Sequence, residues 1–332
     1  MKKLCTLFLL LIAPCLLSCE DSSSTTSSSS TDTADDTDDT DTPTFTGEYG
    51  EPTLVAFIGD QGYGDNAEAV LELILAEGTD MVLHQGDFDY NNNVDGWDAQ
   101  ITNILGADFP YFACAGNHDT DYWLEYREKL YERLDLIEGA SCEGSLGTKS
   151  ACTYKEIFFI LSGVGTYGSD HETYLEDELA ASTATWKICS WHKNQRLMQV
   201  GGKSDEVGWE AYDICREAGA IIATGHEHSY SRTHLMSDFE NQEIASTDTT
   251  LVLEPGKTFA FVNGLGGQSI REQDDELAAK AWWAAVYSED QDANYGALFC
   301  DFNYNEVLGA AYCYFKDIDD NLVDEFYLLN QN

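Results

Sequence analysis

The sequence predicts an α/β fold. Three observations carry the prediction: apolar runs of strand length recur along the chain, helix-like segments separate most of them, and polar, metal-competent residues follow five of the strands. The runs fall at residues 54–58, 81–84, 111–115, 157–161, 186–191 and 221–224. After the first of them, Ala67, Val70, Leu71, Ile74 and Leu75 share one helical face; Trp123, Tyr126, Leu130 and Leu134 mark a later helix. Beyond Phe259 the pattern shifts to strands, at 259–262, 295–303, 308–315 and 326–329. No repeat and no second linker interrupt residues 47–332, which read as one domain.

The first 46 residues read as an address and a tether. Lys2 and Lys3 precede an apolar stretch at 4–17, too short to cross a hydrocarbon core about 30 Å thick, so residues 1–18 read as a secretory signal. Leu16, Leu17, Ser18 and Cys19 resemble the bacterial lipobox, which implies lipidation of Cys19. Residues 19–46 are dominated by Ser, Thr and Asp, with too little apolar surface to offset ordering entropy, and read as a solvated linker. The expectation is a bacterial cell-envelope lipoprotein that meets the membrane through this anchor and faces the periplasm or cell surface.

Sixty acidic against 17 basic side chains give a formal charge of −43, a field that excludes nucleic-acid binding through a basic patch. Export implies an oxidising compartment. Besides Cys5, Cys15 and Cys19, seven cysteines remain, so at least one thiol is unpaired. Cys142 and Cys152 bracket a Gly/Ser-rich loop, and Cys300 and Cys313 sit on adjacent strand-like runs; both are plausible bridges.

Function is written at the strand ends. The first five delivering runs lead into Asp60, then Asp87 and Tyr90, then Asn117, His192, and finally His226 and His228. Open α/β sheets place their sites at such C-terminal strand ends. Two aspartates, a phenol, an amide oxygen and three imidazoles are too many ligands for one zinc and too varied for calcium. Two unlike metals sharing a carboxylate suit the mixture.

These blocks, GDxG at Asp60, GDxxY at Asp87 and Tyr90, GNHD at Asn117, a strand-end His192 and GHxH at His226 and His228, resemble those of the purple acid phosphatases among the calcineurin-like metallophosphoesterases. The resemblance extends to GHEHSYSR at 225–232 and the glycine-rich loop at 264–267. It implies a four-layer α/β/β/α sandwich of two mixed sheets. It assigns Asp60, Tyr90 and His228 to Fe(III), Asn117, His192 and His226 to a divalent Fe, Zn or Mn, and Asp87 to a bridge. Tyr90 points to the purple subfamily, because Gly62 stands where broader relatives carry a histidine.

Two positions depart from the family pattern. Cys189 replaces a valine, and residues 193–203 lack the histidines that several members place over the substrate phosphate. Lys193, Arg196 or Lys203 is left to hold a phosphate oxygen beside Asn117, and His118 is the candidate proton donor or orienting residue. Other candidates read more simply. His84, His171 and His234 read as structural, Glu227 as a neighbour of the ligands, Asp119 as a turn or helix N-cap, and Trp97, Trp282 and Trp283 as core or rim.

The resemblance implies hydrolysis of phosphate monoesters on small molecules by a metal-activated hydroxide. The rivals are a Mn/Zn phosphodiesterase or nucleotidase and a non-catalytic surface-binding lipoprotein.

Overall fold

The computed structural model describes residues 43–331. The signal segment, Cys19 and the linker as far as residue 42 lie outside the described residues. No helix among the described residues is long and apolar enough to cross a membrane.

Two mixed sheets stack at the centre. One runs Thr250–Leu253, Leu322–Asn330, Ala310–Asp317, Gly296–Phe302, Thr53–Ile58, Met81–His84, Tyr111–Ala113. The other runs Trp283–Tyr287, Tyr230–Thr233, Ala260–Asn263, Ile221–Thr224, Trp186–Ser190, Ile157–Ser162, Lys149–Tyr154, Ser141–Ser145. Central strands are buried along nearly their whole length and mostly apolar because both faces are covered. Aromatic pairs join the inner faces: Phe57 to Phe261 at 5.2 Å, Phe112 to Phe159 at 4.8 Å and Phe259 to Phe326 at 5.4 Å between ring centres. Helices Asp65–Ala76, Val94–Ile104 and Trp123–Leu134 cover the first sheet, and His171–Ala181 and Trp209–Glu217 the second. The result is the expected four-layer sandwich.

What positions the site is strand direction. Thr53–Ile58, Met81–His84 and Tyr111–Ala113 are mutually parallel neighbours, as are Trp186–Ser190 and Ile221–Thr224 in the other sheet. Each group therefore empties its C-terminal loops at one edge. A buried lock supports the second sheet: Arg232 grips Asp324 with two contacts of 2.6 and 2.8 Å, and the Tyr230 hydroxyl donates to the same carboxylate at 2.6 Å.

Several expectations need correction. Leu75 is 51% exposed, since it falls at the end of its helix beyond the sheet, while Ala67, Val70, Leu71 and Ile74 are buried. The segment between Cys142 and Cys152 is a hairpin rather than a loop, and its cysteines face one another across the ladder, 4.0 Å between Cα atoms, and are bonded. Cys300 and Cys313 are bonded in the same cross-strand way. Cys189 is not a valine surrogate: it is bonded to Cys215 on the Trp209–Glu217 helix, tying strand to helix. Cys114 is the free, buried thiol among the described cysteines.

Candidate metal centre

The loops after the five strands converge, and the seven side chains meet in two groups. In one, the Tyr90 hydroxyl donates to Asp60 Oδ1 at 2.8 Å and lies 3.1 Å from His228 Nε2, which is 3.2 Å from the same Asp60 oxygen. In the other, His192 Nε2 lies 3.2 Å from Asn117 Oδ1, 3.1 Å from His226 Nδ1 and 3.3 Å from Asp87 Oδ2. Asp87, His192 and His226 offer ligand atoms that all lie within 4.8 Å of one another. The side chains singled out from the sequence are thus brought together in these two groups by the strand ends.

The local backbone is bent to achieve this. Asp60, Asp87, Tyr90 and His226 hold φ of 56°, 62°, 60° and 70°, the left-handed region that non-glycine residues avoid. Gly116 answers the closest approach, because a Cβ there would fall 2.0 Å from the Asp87 nitrogen. Asp89 shapes the turn that presents Tyr90, accepting from the Asn91, Asn92 and Asn93 N–H groups at 3.1, 3.1 and 2.6 Å.

Each imidazole is oriented by its other nitrogen. His192 Nδ1 meets the Gln85 carbonyl at 2.8 Å, His226 Nε2 meets Glu206 at 2.7 Å, and His228 Nδ1 meets the Ser269 hydroxyl at 2.6 Å. Such partners fix which nitrogen points inward. Asp119 stands before the Thr120–Tyr122 turn but its side chain does not cap it: the carboxylate accepts instead from Gly116, Asp87 and Phe88 N–H groups at 2.7, 2.9 and 2.8 Å, clamping two loops together.

Charge fits the same picture. Asp60 and Asp87 are 0% and 1% exposed. Burial alone raises a carboxyl, yet the imidazoles of His228 and His192 hold Asp60 and Asp87 respectively below the usual range. His192, despite burial, is lifted to about 9 by the Asp87 carboxylate, whereas burial and then the His192 charge push His226 down to about 3. Burial and the Asp60 charge push the Tyr90 phenol well above its ordinary value. Two buried anions thus draw in whatever positive charge is within reach. The spacings also fit: donors about 2.1 Å from one ion are separated by roughly 3 Å, the separation seen within each group. The donor set fits metal binding: Asp87, His192 and His226, with Asn117 beside them, could hold one cation, and Asp60, Tyr90 and His228 offer a second group of donors.

Around this centre, His118 is exposed, its backbone N–H donates to Asp87 at 2.8 Å, and its ring packs 4.4 Å from that of Tyr90. Lys203 is half-buried; burial and then the Arg271 charge lower its ammonium. Arg196 is committed elsewhere, to the Lys203 carbonyl at 3.0 Å and Asp274 at 3.1 Å, and Lys193 is paired with Glu206 at 2.8 Å. His84 is a satisfied core residue at Nδ1, which accepts from Gly86 at 2.9 Å, and burial pushes it down to about 3. Glu206, Ser269 and Arg271 escaped the sequence reading. Ser269 and Arg271 follow the glycine-rich loop, which was a signal; Glu206 lies in no motif, and proximity in space alone reveals it.

The family model for calcineurin-like phosphoesterases matches residues 53–230. Among solved structures, a purple acid phosphatase, PPD1, from yellow lupin (Lupinus luteus) seeds shares 17% identity at a TM-score of 0.63, over 84% of this chain and 54% of the lupin chain. This chain thus spans about half of the lupin protein's length. GAP50, the anchor in the inner membrane complex of Plasmodium, shares 13% identity at 0.56, over 85% of this chain and 90% of its own. PhoD shares 14% identity at 0.50, over 84% and 72%. At these identities the likeness is one of fold. A search of curated proteins finds no significant sequence match. The matched span covers all the strand-end residues from Asp60 to His228, and the chain belongs to the calcineurin-like phosphoesterase family.

Proposed function

We propose that this chain is a dinuclear hydrolase of phosphate monoesters, of purple acid phosphatase type, carried on the cell envelope by a lipid on Cys19. The observation that supports the metal type is the placement of the Tyr90 hydroxyl within 3.1 Å of both Asp60 and His228, a phenol among the donors of one group. A hard trivalent ion such as Fe(III) favours carboxylate and phenolate oxygen, while the imidazole-rich second group suits a divalent Fe, Zn or Mn.

When bound, the cations supply Lewis acidity, which activates water and stabilises charge on the phosphoryl oxygens. The protein does the rest. Asp60, Asp87 and the Tyr90 phenolate balance part of the cationic charge and leave the centre net positive, so phosphate is drawn in against the surrounding acidic field. Asn117 presents its amide oxygen beside His192 at 3.2 Å and orients the second group. His118, exposed at the rim next to Tyr90, is placed to give a proton to the departing alkoxide.

The test uses the full chain in detergent, measuring metal content, visible spectrum and turnover of a chromogenic phosphate monoester and diester. Iron, a visible band that Tyr90→Phe bleaches, and faster monoester turnover are expected. A colourless, iron-free protein that prefers the diester points instead to a Mn/Zn phosphodiesterase or nucleotidase. A metal-loaded protein with no turnover of either ester leaves a non-catalytic anchor.

A further inference from the structure

Arg271 enters the centre from outside the five ligand loops, and its surroundings are specific. Its backbone is held at both ends, its N–H donating to the His228 carbonyl at 3.0 Å and its carbonyl accepting from Glu289 at 3.0 Å. The guanidinium lies 3.3 Å from His228 Nε2, the nitrogen that faces Asp60 and Tyr90, and 3.4 Å from the His226 carbonyl. Behind it stands the Glu227 carboxylate at 3.7 Å. The pair is asymmetric, since the Glu227 side chain is 2% exposed and that of Arg271 38%. A buried acid therefore anchors a guanidinium whose far side is open.

The packing around Glu227 shows that the site accommodates it. A Cβ on Gly201 would lie 2.2 Å from its carboxyl carbon, so only glycine admits the acid beneath the loop that carries Lys203. Among the described residues no carboxylate lies within 4.0 Å of the Lys203 ammonium. The other two cations of the neighbourhood, Lys193 and Arg196, are neutralised by Glu206 and Asp274.

We propose that Arg271 is a phosphoryl clamp that selects dianionic monoesters, with Glu227 as its positioning residue. The proposal rests on the dinuclear phosphatase reading above. Were His228 Nε2 engaged by a cation that Asp60, Tyr90 and His228 would hold, the neighbouring guanidinium N–H would be free for a phosphoryl oxygen. A planar guanidinium can meet two oxygens of one phosphate, a geometry that an ammonium cannot reproduce. A dianion gains more than a monoanionic diester from an additional positive charge.

The experiment compares metal-loaded wild type with Arg271→Gln, Arg271→Lys and Glu227→Gln. Three readouts are taken: metal stoichiometry, the calorimetric Kd for inorganic phosphate, and separate kcat and KM for a monoester and a diester. Losing a charge-assisted contact corresponds to roughly a 10–100-fold change. Arg271→Gln is expected to raise phosphate Kd and monoester KM by about that factor. Its metal content should stay at the wild-type stoichiometry and its diester KM should rise less than its monoester KM, with Arg271→Lys intermediate and Glu227→Gln following in the same direction. Phosphate Kd within twofold of wild type in Arg271→Gln overturns the clamp while leaving the phosphatase reading intact. Loss of metal in that variant also overturns it, since Arg271 would then support the centre instead of the substrate. A wild-type protein that holds two metals yet binds no phosphate and cleaves no ester overturns both.

Discussion

Asp119 gives the sharpest test of how the centre is held. Its carboxylate accepts three backbone N–H groups, Gly116 at 2.7 Å, Asp87 at 2.9 Å and Phe88 at 2.8 Å, and the residue is 1% exposed. Asp119→Ala orphans all three. A buried N–H without a partner costs about 1–3 kcal/mol, and a water entering the vacated space recovers part of the total. We expect a loss of about 3–5 kcal/mol, a large share of a typical domain stability of about 5–15 kcal/mol. Asp119→Asn keeps an oxygen where Oδ2 serves Gly116 and Asp87 but turns an amide N–H toward that of Phe88, so it should cost only about 1–3 kcal/mol. Urea unfolding followed by tryptophan fluorescence measures both, with disulfides intact. The assay belongs at pH 8, because burial and then the Asp87 charge push Asp119 up to about 7. Metal affinity should fall in parallel by about 10–100-fold. An alanine variant that unfolds within 1 kcal/mol of wild type and binds metal normally would refute the clamping role.

Further predictions rest on separate features. Glu206→Gln removes the charge from the 2.7 Å contact with His226 Nε2 and should weaken metal binding by about 10–100-fold in a chelator competition, with stability nearly unchanged. Burial, then Asp80, pushes Asp301 up to about 6 from 3.8. Its contribution to stability is therefore intact below pH 3.8 and lost as pH rises through 6. Asp301→Asn should raise stability by about 1–2 kcal/mol at pH 8 and leave it unchanged at low pH, as thermal unfolding at the two pH values will show. Replacing Cys189 by valine together with Cys215 by alanine opens a loop closed across a separation of 26 residues and should cost about 3.5 kcal/mol in urea unfolding.

Much of this was legible because strand ends are written locally. Met81–His84 and Ile221–Thr224 have the bounds read from their apolar runs, and each run is followed at once by its ligands. The 111–115 run was read too long because Cys114 and Ala115 leave the ladder, donating to the carbonyls of His84 and Gly147 as the loop begins. Tyr230–Thr233 was missed as a strand because its polar residues, Arg232 among them, looked like motif; Asp324, distant in sequence, makes that arginine tolerable inside. The hairpin between Cys142 and Cys152 was hidden by small residues that carry no alternation of polarity. Cys189 with Cys215 and Glu206 with His226 depend on contacts between elements, which leave no trace in local spacing.

The left-handed backbone at Asp60, Asp87, Tyr90 and His226 bears on how such a protein changes over time. Each of these residues would relax if it became glycine, by about 1 kcal/mol, while surrendering a donor. Robustness and chemistry therefore pull in opposite directions at the same four codons. A lineage freed from the need for these donors would drift toward glycine along this rim first.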